Sequence, residues 1–150
     1  MKYPPLKNYI NGKPTAASSA KTLEVISPID GTLLSTVPMS TAKDLNDAVM
    51  VAQKAFVSWS RKPIKERVQV FFKFKTLLER DLNILAALVQ EENGKTLGEA
   101  VAEVEKCIEL TEFATSLPQL ISGEVLEVSK GVECRTEHVP LGIVASIVPF

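Results

Sequence analysis

Apolar residues recur every three or four positions through the central part of the chain, residues 41 to 117. This spacing places them on one face of an α-helix and predicts three helices, at about 41–60, 63–92 and 96–117. Each helix is expected to pack its apolar face against a neighbour. The side chains that we expect to be buried between the three helices are Phe56, Trp59, Phe71, Phe72, Leu78, Leu82 and Val104.

Residues with capping and turn preferences mark the ends of these helices. Thr41 with Asp44 and Thr96 with Glu99 have the spacing of a capping box, in which two side chains satisfy free backbone N–H groups. Gly94 predicts a left-handed residue that ends the second helix, because glycine adopts positive φ without steric cost.

Short runs with strand preference precede and follow the helices. Two runs flank Asp30-Gly31 and predict a hairpin over residues 23–38. Two more flank residues 129–131 and predict a hairpin over 124–139. Both arms of the second hairpin alternate in polarity, which is typical of a sheet with one face in water.

The last nine residues, GIVASIVPF, do not alternate. A continuous apolar run predicts a strand covered on both faces, as in a parallel sheet whose strands are joined by helices. The sequence contains no later strand–helix units that would cover this strand. The pattern therefore indicates an α/β protein, and we expect the chain to be a truncated part of a longer one.

Composition and charge narrow the functional classes. With 45% hydrophobic and 23% charged residues, the chain is typical of a folded protein. Its formal net charge of −1 does not favour nucleic acid or an anionic membrane as a partner. No apolar run approaches the roughly 18 residues that cross a bilayer, and no signal peptide is evident. We therefore expect a cytoplasmic protein that binds neither nucleic acid nor membranes.

The residues that could carry chemistry are few. Cys107 lies on an apolar helical stripe and is interpreted as a small core residue, whereas Cys134 lies within a predicted strand. The two cysteines lack the spacing of a metal site and are expected to be free and dispensable; a reactive Cys134 beside Arg135 is the alternative. His138 has no nucleophile or acid positioned by the sequence, and we interpret it as a strand-surface residue.

Several motifs resemble the aldehyde dehydrogenase superfamily. Residues 91–104, EENGKTLGEAVAEV, are similar to the family's E-x-G-K…EA…EV stretch, and residues 139–150, VPLGIVASIVPF, to its P-x-G-x-(apolar)-P-(W/F) segment. YINGK and SPIDGTLLSTVP resemble its N-terminal strands, and AFVSWS resembles the end of its first helix. The motifs follow one another in the family's order over almost the whole chain.

The resemblance implies an N-terminal fragment of the aldehyde dehydrogenase fold, made of β-hairpins, three long helices and the first strand of the dinucleotide-binding sheet. It implies N-terminal strands at 1–40 and the helical part of the cofactor domain at 41–122. Residues 123–141 would form an oligomerisation hairpin, and 142–150 the first strand of that sheet. A homo-oligomer is the implied assembly.

The same resemblance implies where the cofactor and the catalytic groups lie. The residues that match the wall of the nicotinamide end of NAD are Ile147, Val148, Pro149 and Phe150. The family's active-site Asn, nucleophilic Cys, glycine-rich phosphate turn and general-base Glu would all follow residue 150. The isolated chain is therefore expected to contain no catalytic residue and no metal site.

The wording of the motifs is most similar to the methylmalonate-semialdehyde dehydrogenase branch, which oxidises a carboxylated semialdehyde and passes the acyl group to coenzyme A. In that branch an arginine of the third helix binds the substrate carboxylate, and Lys106 stands at the matching position. Lysine supplies charge without the bidentate fork of arginine. Lys106 is thus either a weak substrate contact or an ordinary surface lysine.

Two other functional classes are alternatives to the enzyme. One is a non-catalytic relic that associates with copies of itself through exposed sheet edges. The other is an independent helical binding domain.

Overall fold

The computed structural model describes residues 1–148, so two of the predicted cofactor residues, Pro149 and Phe150, lie outside the described residues. Antiparallel hairpins precede and follow a set of helices, which confirms the predicted mixture of helices and strands. The elements in chain order are β1 (Asn8–Ile10), β2 (Lys13–Thr15), β3 (Thr22–Ile26), β4 (Leu33–Pro38), α1 (Ala42–Trp59), α2 (Ile64–Arg67), α3 (Gln69–Asn93), α4 (Leu97–Thr115), α5 (Leu117–Leu120), β5 (Glu124–Ser129) and β6 (Val132–Thr136).

The two predicted hairpins are confirmed. β3 pairs with β4 around Gly31, whose φ is 75°, and β5 pairs with β6 around Gly131, whose φ is 76°. A further short hairpin, β1–β2, turns at Asn11 and Gly12, both with positive φ. These turns form where asparagine and glycine tolerate the left-handed backbone that tight hairpins require.

The N-terminal segment 2–6 extends the β3–β4 hairpin. The backbone N–H of Tyr3 donates to Leu34 O (2.8 Å), and that of Leu6 donates to Thr36 O (2.9 Å). The Ser35 hydroxyl donates to Pro4 O (2.8 Å). The segment therefore runs along β4 and satisfies part of an edge that would otherwise be unpaired.

The predicted helix caps are confirmed. The backbone N–H of Thr41 donates to Asp44 Oδ2 (2.8 Å), and that of Thr96 donates to Glu99 Oε2 (2.9 Å). Each carboxylate also lies in the first turn of its helix, where it complements the helix dipole. Gly94 ends α3 with a φ of 78°.

The second helix departs from its prediction as one element over 63–92. It is divided at Val68 into the short α2 and the long α3. The Phe71 N–H donates to Val68 O (3.0 Å), an i to i+3 bond that tightens the backbone locally. Val68 is buried at this turn.

The core lies mainly between α3 and α4. Ala86 and Ala100 are both 0% exposed, and Val104 packs in the same cluster. The predicted burial of Leu78 and Val104 is confirmed. The partly buried hydrophobic residues around the cluster are Leu82, Leu85, Val89, Val101 and Ile108.

Several burial predictions were wrong. Trp59, Phe71 and Phe72 are exposed, by 43%, 36% and 50%. Cys107, predicted as a core residue, is exposed on α4. These side chains lie on helix faces that residues 1–148 do not cover, so the apolar periodicity identified the faces without a partner to bury them.

Two strand predictions also need correction. Every residue of β5 and β6 is exposed, so the hairpin has two faces in solvent where one was expected. The run 142–148 is not a strand. A strand needs hydrogen-bond partners for its backbone, and no described segment pairs with this run.

The α3–α4 turn gives a direct test of the fold. Gly94→Ala would place a Cβ 2.9 Å from Pro28 Cγ at a φ of 78°. We expect it to lower the free energy of unfolding by about 1–3 kcal/mol, measured by urea denaturation with far-UV circular dichroism. Gly98→Ala is the matched control, since a Cβ at this helical position meets nothing within 4 Å. Gly98→Ala should leave the free energy of unfolding unchanged or raise it by up to about 1 kcal/mol. Equal losses of stability in the two variants would contradict the role given to the left-handed backbone and close packing of Gly94.

Candidate functional site

A groove lies between α1 and the extended segment 142–146. It has a volume of about 860 Å³ and is mainly apolar. Among the described residues that line it, the polar side chains are Gln53 and Ser146 and none is ionisable. The lining residues are Leu45, Ala48, Val49, Ala52, Gln53, Phe56, Gly142, Ile143, Val144, Ala145 and Ser146. The groove can therefore accept an apolar or aromatic group but offers no charge to hold a phosphate.

Two of the predicted cofactor residues, Ile147 and Val148, follow the segment that lines this groove and do not line it themselves. Ile147 is 97% exposed and Val148 is also exposed, directly after the segment that forms one wall. Lys106 lies on the exposed side of α4, where its ammonium forms an ion pair with Glu109 (2.7 Å). The structure does not bring Lys106 into the groove.

A buried carboxylate fixes the start of α1, and thus one wall of the groove. Asp44 Oδ1 accepts from the Ser18 backbone N–H (2.9 Å), and Oδ2 accepts from the Ser18 hydroxyl (2.9 Å) and the Thr41 N–H (2.8 Å). These hydrogen bonds, chiefly the one from the Thr41 N–H, lower the pKa of Asp44 to about 2. The capping box indicated Thr41, but no local spacing could indicate Ser18.

A second polar cluster joins the N-terminal segment to α3. The Tyr3 hydroxyl donates to Glu91 Oε2 (2.7 Å), and Lys2 forms an ion pair with the same carboxylate. Hydrogen bonds from Lys2 and then Tyr3 lower the pKa of Glu91. Lys2 and Tyr3 are 89 and 88 positions from Glu91 in the sequence, and the sequence analysis did not predict this cluster. It is exposed or half-buried and attaches the N-terminal hairpins to the helices.

The candidate nucleophiles remain separate from the candidate base. Cys107 and Cys134 are free thiols, as predicted, and both are exposed. His138 follows the end of β6 instead of lying within the strand, which corrects its predicted position. Within residues 1–148, no hydrogen bond joins either thiol to His138, and no group of three or more His, Cys, Asp or Glu could hold a metal ion.

The helices of this chain are short or amphipathic in composition. Across the described part of the chain, none combines the length and the apolar composition needed to cross a bilayer.

The order of hairpins, helices and apolar segment matches a known enzyme class. The model of the aldehyde dehydrogenase family matches residues 15–150. The chain therefore belongs to the aldehyde dehydrogenase family, as its motifs indicated.

Particular relatives narrow the similarity. Malonate-semialdehyde dehydrogenase 1 of Geobacillus kaustophilus is 42% identical over 146 residues, and malonate-semialdehyde dehydrogenase of Bacillus pumilus is 40% identical over 146. Each alignment covers 97% of this chain and 30% of the relative. The chain thus spans about 30% of the length of these relatives.

Solved structures give the same picture. Methylmalonate-semialdehyde dehydrogenase from Oceanimonas doudoroffii superposes with a TM-score of 0.87 at 29% identity, covering 93% of this chain and 28% of that one. A Sinorhizobium meliloti protein described as a methylmalonate-semialdehyde dehydrogenase, crystallised with NAD, gives a TM-score of 0.84 at 31% identity. The superposition covers 90% of this chain and 28% of the Sinorhizobium meliloti chain.

The Asp44 network predicts a pH dependence. The pKa of Asp44 is about 2 when folded and 3.8 ordinarily, so its carboxylate stabilises the fold above pH 3.8, and this is lost as pH falls through about 2. Asp44→Asn should therefore be less stable at pH 7 and should lose less stability between pH 5 and pH 2, measured by urea denaturation at each pH.

A control on the same helix separates this effect from general charge removal. Asp47→Asn deletes an exposed carboxylate that pairs with Lys43. It should change stability at pH 7 by no more than about 0.5 kcal/mol. If Asp44→Asn kept the wild-type loss of stability toward pH 2, the assigned role of Asp44 would be wrong.

Proposed function

We propose that the chain forms the N-terminal part of an NAD-dependent aldehyde dehydrogenase that oxidises a small carboxylated semialdehyde. The observation that carries the proposal is the family match over residues 15–150, joined to relatives at 38–42% identity that are malonate-semialdehyde dehydrogenases. The 30% coverage of those relatives supports the view that further sequence completes the enzyme. The exposed thiols are consistent with a cytoplasmic location.

The proposal also assigns a structural role to each part of the chain. Residues 1–40 supply N-terminal strands and 41–122 the helical part of the cofactor domain. Residues 123–141 form the oligomerisation hairpin. Residues 142–150, of which 142–148 are not a strand in this chain, would form the first strand of the dinucleotide-binding sheet when the other strands of the complete enzyme pair with them. Support for the last assignment comes from the continuous apolar pattern of 142–150, since a strand inside a parallel sheet has both faces covered.

The proposed cofactor contact is apolar. Ile147, Val148, Pro149 and Phe150 would line the nicotinamide end of NAD, beyond the carboxyl end of that strand, where ligands of parallel sheets bind. The neighbouring groove suits a flat ring but offers no cation for the pyrophosphate. When bound, NAD supplies the hydride acceptor for aldehyde oxidation. This chain's residues would exclude water from one side of the ring.

The proposed substrate and acyl acceptor rest on similarity to the relatives. A carboxylated semialdehyde follows from the names of the relatives. Lys106 could contact its carboxylate only if its ion pair with Glu109 opened, and its exposure also suits a surface lysine. Release of the acyl group to coenzyme A is proposed by similarity to the methylmalonate-semialdehyde branch.

The isolated 150-residue chain is expected to show no turnover and no micromolar NAD affinity. Its groove lacks charge for the phosphates, and its thiols and histidine are not assembled into a catalytic group. The assay supplies NAD, coenzyme A and malonate semialdehyde or methylmalonate semialdehyde and follows absorbance of the reduced cofactor. Calorimetry measures NAD binding.

Two comparisons make this test decisive. The double variant Cys107→Ala, Cys134→Ala is the control. Turnover above the blank that survives in this variant would contradict the proposal that the catalytic residues lie outside residues 1–150. The coding sequence after codon 150 tests the proposal itself, because it should continue with the glycine-rich phosphate turn and a cysteine in a Gly-Gln-x-Cys context. A frame that ends at codon 150 would refute the enzyme and favour the relic.

One observation favours a second function for the isolated chain, namely self-association. Leu126 and Val128 are exposed on one face of β5, and the hairpin has unpaired edges. Exposed apolar strands with free edges associate with copies of themselves.

Light scattering should therefore detect dimers or larger species at high micromolar concentration. Leu126→Lys should shift the distribution toward monomer, because it adds a charge to the apolar face. Glu127→Lys, on the opposite face of the same strand, should not. A clean monomer for the unmodified chain would exclude self-association, and an equal effect of both variants would exclude this face.

A further inference from the structure

Residues 2–6, here called the strap, lie along β4 with few backbone hydrogen bonds. The N–H groups of Lys2, Tyr3 and Leu6 donate to β4 carbonyl oxygens at 2.8 to 3.1 Å. The two residues between Tyr3 and Leu6 are prolines, which have no N–H to donate. The middle of the strap instead accepts a hydrogen bond at a proline carbonyl oxygen from the Ser35 hydroxyl (2.8 Å). The strap is therefore attached to β4 less regularly than a paired strand.

Side chains at the start of the strap meet a single carboxylate of α3. The Tyr3 hydroxyl donates to Glu91 Oε2 (2.7 Å), and the Lys2 ammonium pairs with Glu91 Oε1. The same ammonium lies 5.5 Å from the centre of the Tyr3 ring, which is a cation–π distance. Hydrogen bonds to an ionised group are roughly twice as strong as those between neutral groups. Both strap side chains thus depend on one charge.

Apolar packing adds little to these polar contacts. The strap residues other than Tyr3 are exposed, Leu6 by 54%. A cavity of about 300 Å³ lies among the strap, the β3–β4 hairpin and α3, with Leu6, Leu34 and Leu88 in its walls. A cavity at this junction forgoes the dispersion contacts that close packing would provide. Few buried apolar contacts and solvent-exposed hydrogen bonds are the features of a segment that opens locally.

The hairpin keeps a separate contact with the helices. Pro28, in the β3–β4 loop, lies so close to Gly94 that a Cβ on this glycine would be 2.9 Å from Pro28 Cγ. This contact does not involve the strap. The buried cluster of α3 and α4 around Ala86 and Ala100 contains no strap residue either. Opening of the strap would therefore leave these attachments in place.

We propose that the strap opens as a unit and that the Glu91 carboxylate holds it closed. The closed strap covers the outer edge of β4, and its prolines make it a poor template for a further strand. The open strap uncovers the carbonyl oxygens of Leu34 and Thr36. These acceptors are then available to the N–H groups of an extended peptide segment, as in recognition by strand addition. The contact with Glu91 thus controls access to this edge, and the inference does not depend on the proposed enzymatic function.

Hydrogen exchange of the 150-residue chain, followed by ¹⁵N NMR at pH 7, tests this proposal. Glu91→Gln keeps an acceptor oxygen but removes the charge. It should raise the exchange rates of the Tyr3 and Leu6 amides together, by about tenfold or more. Leu6 is the informative position, because its N–H donates to Thr36 and not to Glu91. The Val104 amide, in the buried core, should change by a smaller factor.

Glu92→Gln is the matched control, because it removes the adjacent, exposed carboxylate from the same helix turn. It should leave both strap amides unchanged. Tyr3→Phe removes one donor from the strap itself and should raise the Leu6 rate by a smaller factor than Glu91→Gln. Tyr3→Phe decides the question if Glu91→Gln does not fold. An unchanged Leu6 rate, an equal effect of Glu92→Gln, or an equal rise at Val104 would overturn the proposal.

Discussion

The close approach of α3 and α4 at Ala86 and Ala100 is the contact on which the rest of the chain depends. Methyl side chains let the two helix backbones approach, and the three-residue connection through Gly94 returns the chain antiparallel to itself. The end of α3 then receives the N-terminal half. Gly94 lies against Pro28 of the β3–β4 loop, and Glu91 binds Lys2 and Tyr3. A change at this helix end would therefore loosen both the helix pair and the hairpins attached to it.

The chain carries more apolar surface than its own core uses. The hydrophobic residues that are buried are Leu34, Val68, Leu78, Ala86, Ala100 and Val104. By contrast, large apolar side chains are exposed on α1, on the β5–β6 hairpin and along 142–148. Large apolar side chains that form a contiguous exposed patch mark an interface. This exposed apolar surface accords with a chain that spans about 30% of the length of its relatives, since elements absent from the chain would be needed to cover it.

Short-range signals predicted the local structure well. The capping boxes at Thr41 and Thr96, the left-handed Gly94 and the hairpin turns each depend on residues a few positions apart. Burial was harder, because periodicity identifies which face of a helix is apolar but not what lies against it. The predicted burial of Phe72 and Cys107 was wrong for this reason, and so was the strand predicted over 142–148. The contacts that join distant segments, Ser18 with Asp44 and Tyr3 with Glu91, have no local sequence signature.

The segment after β6 borders two concave surfaces. Residues 138–140 line a pocket beside Arg67, and residues 142–146 line the groove on α1. Gly142 lies between them with a φ of 107°, a backbone conformation that favours glycine, so the chain changes direction there. Residues 142–146 therefore leave the neighbourhood of Arg67 and continue along α1 because of the backbone conformation at Gly142, so this glycine determines where the apolar segment lies.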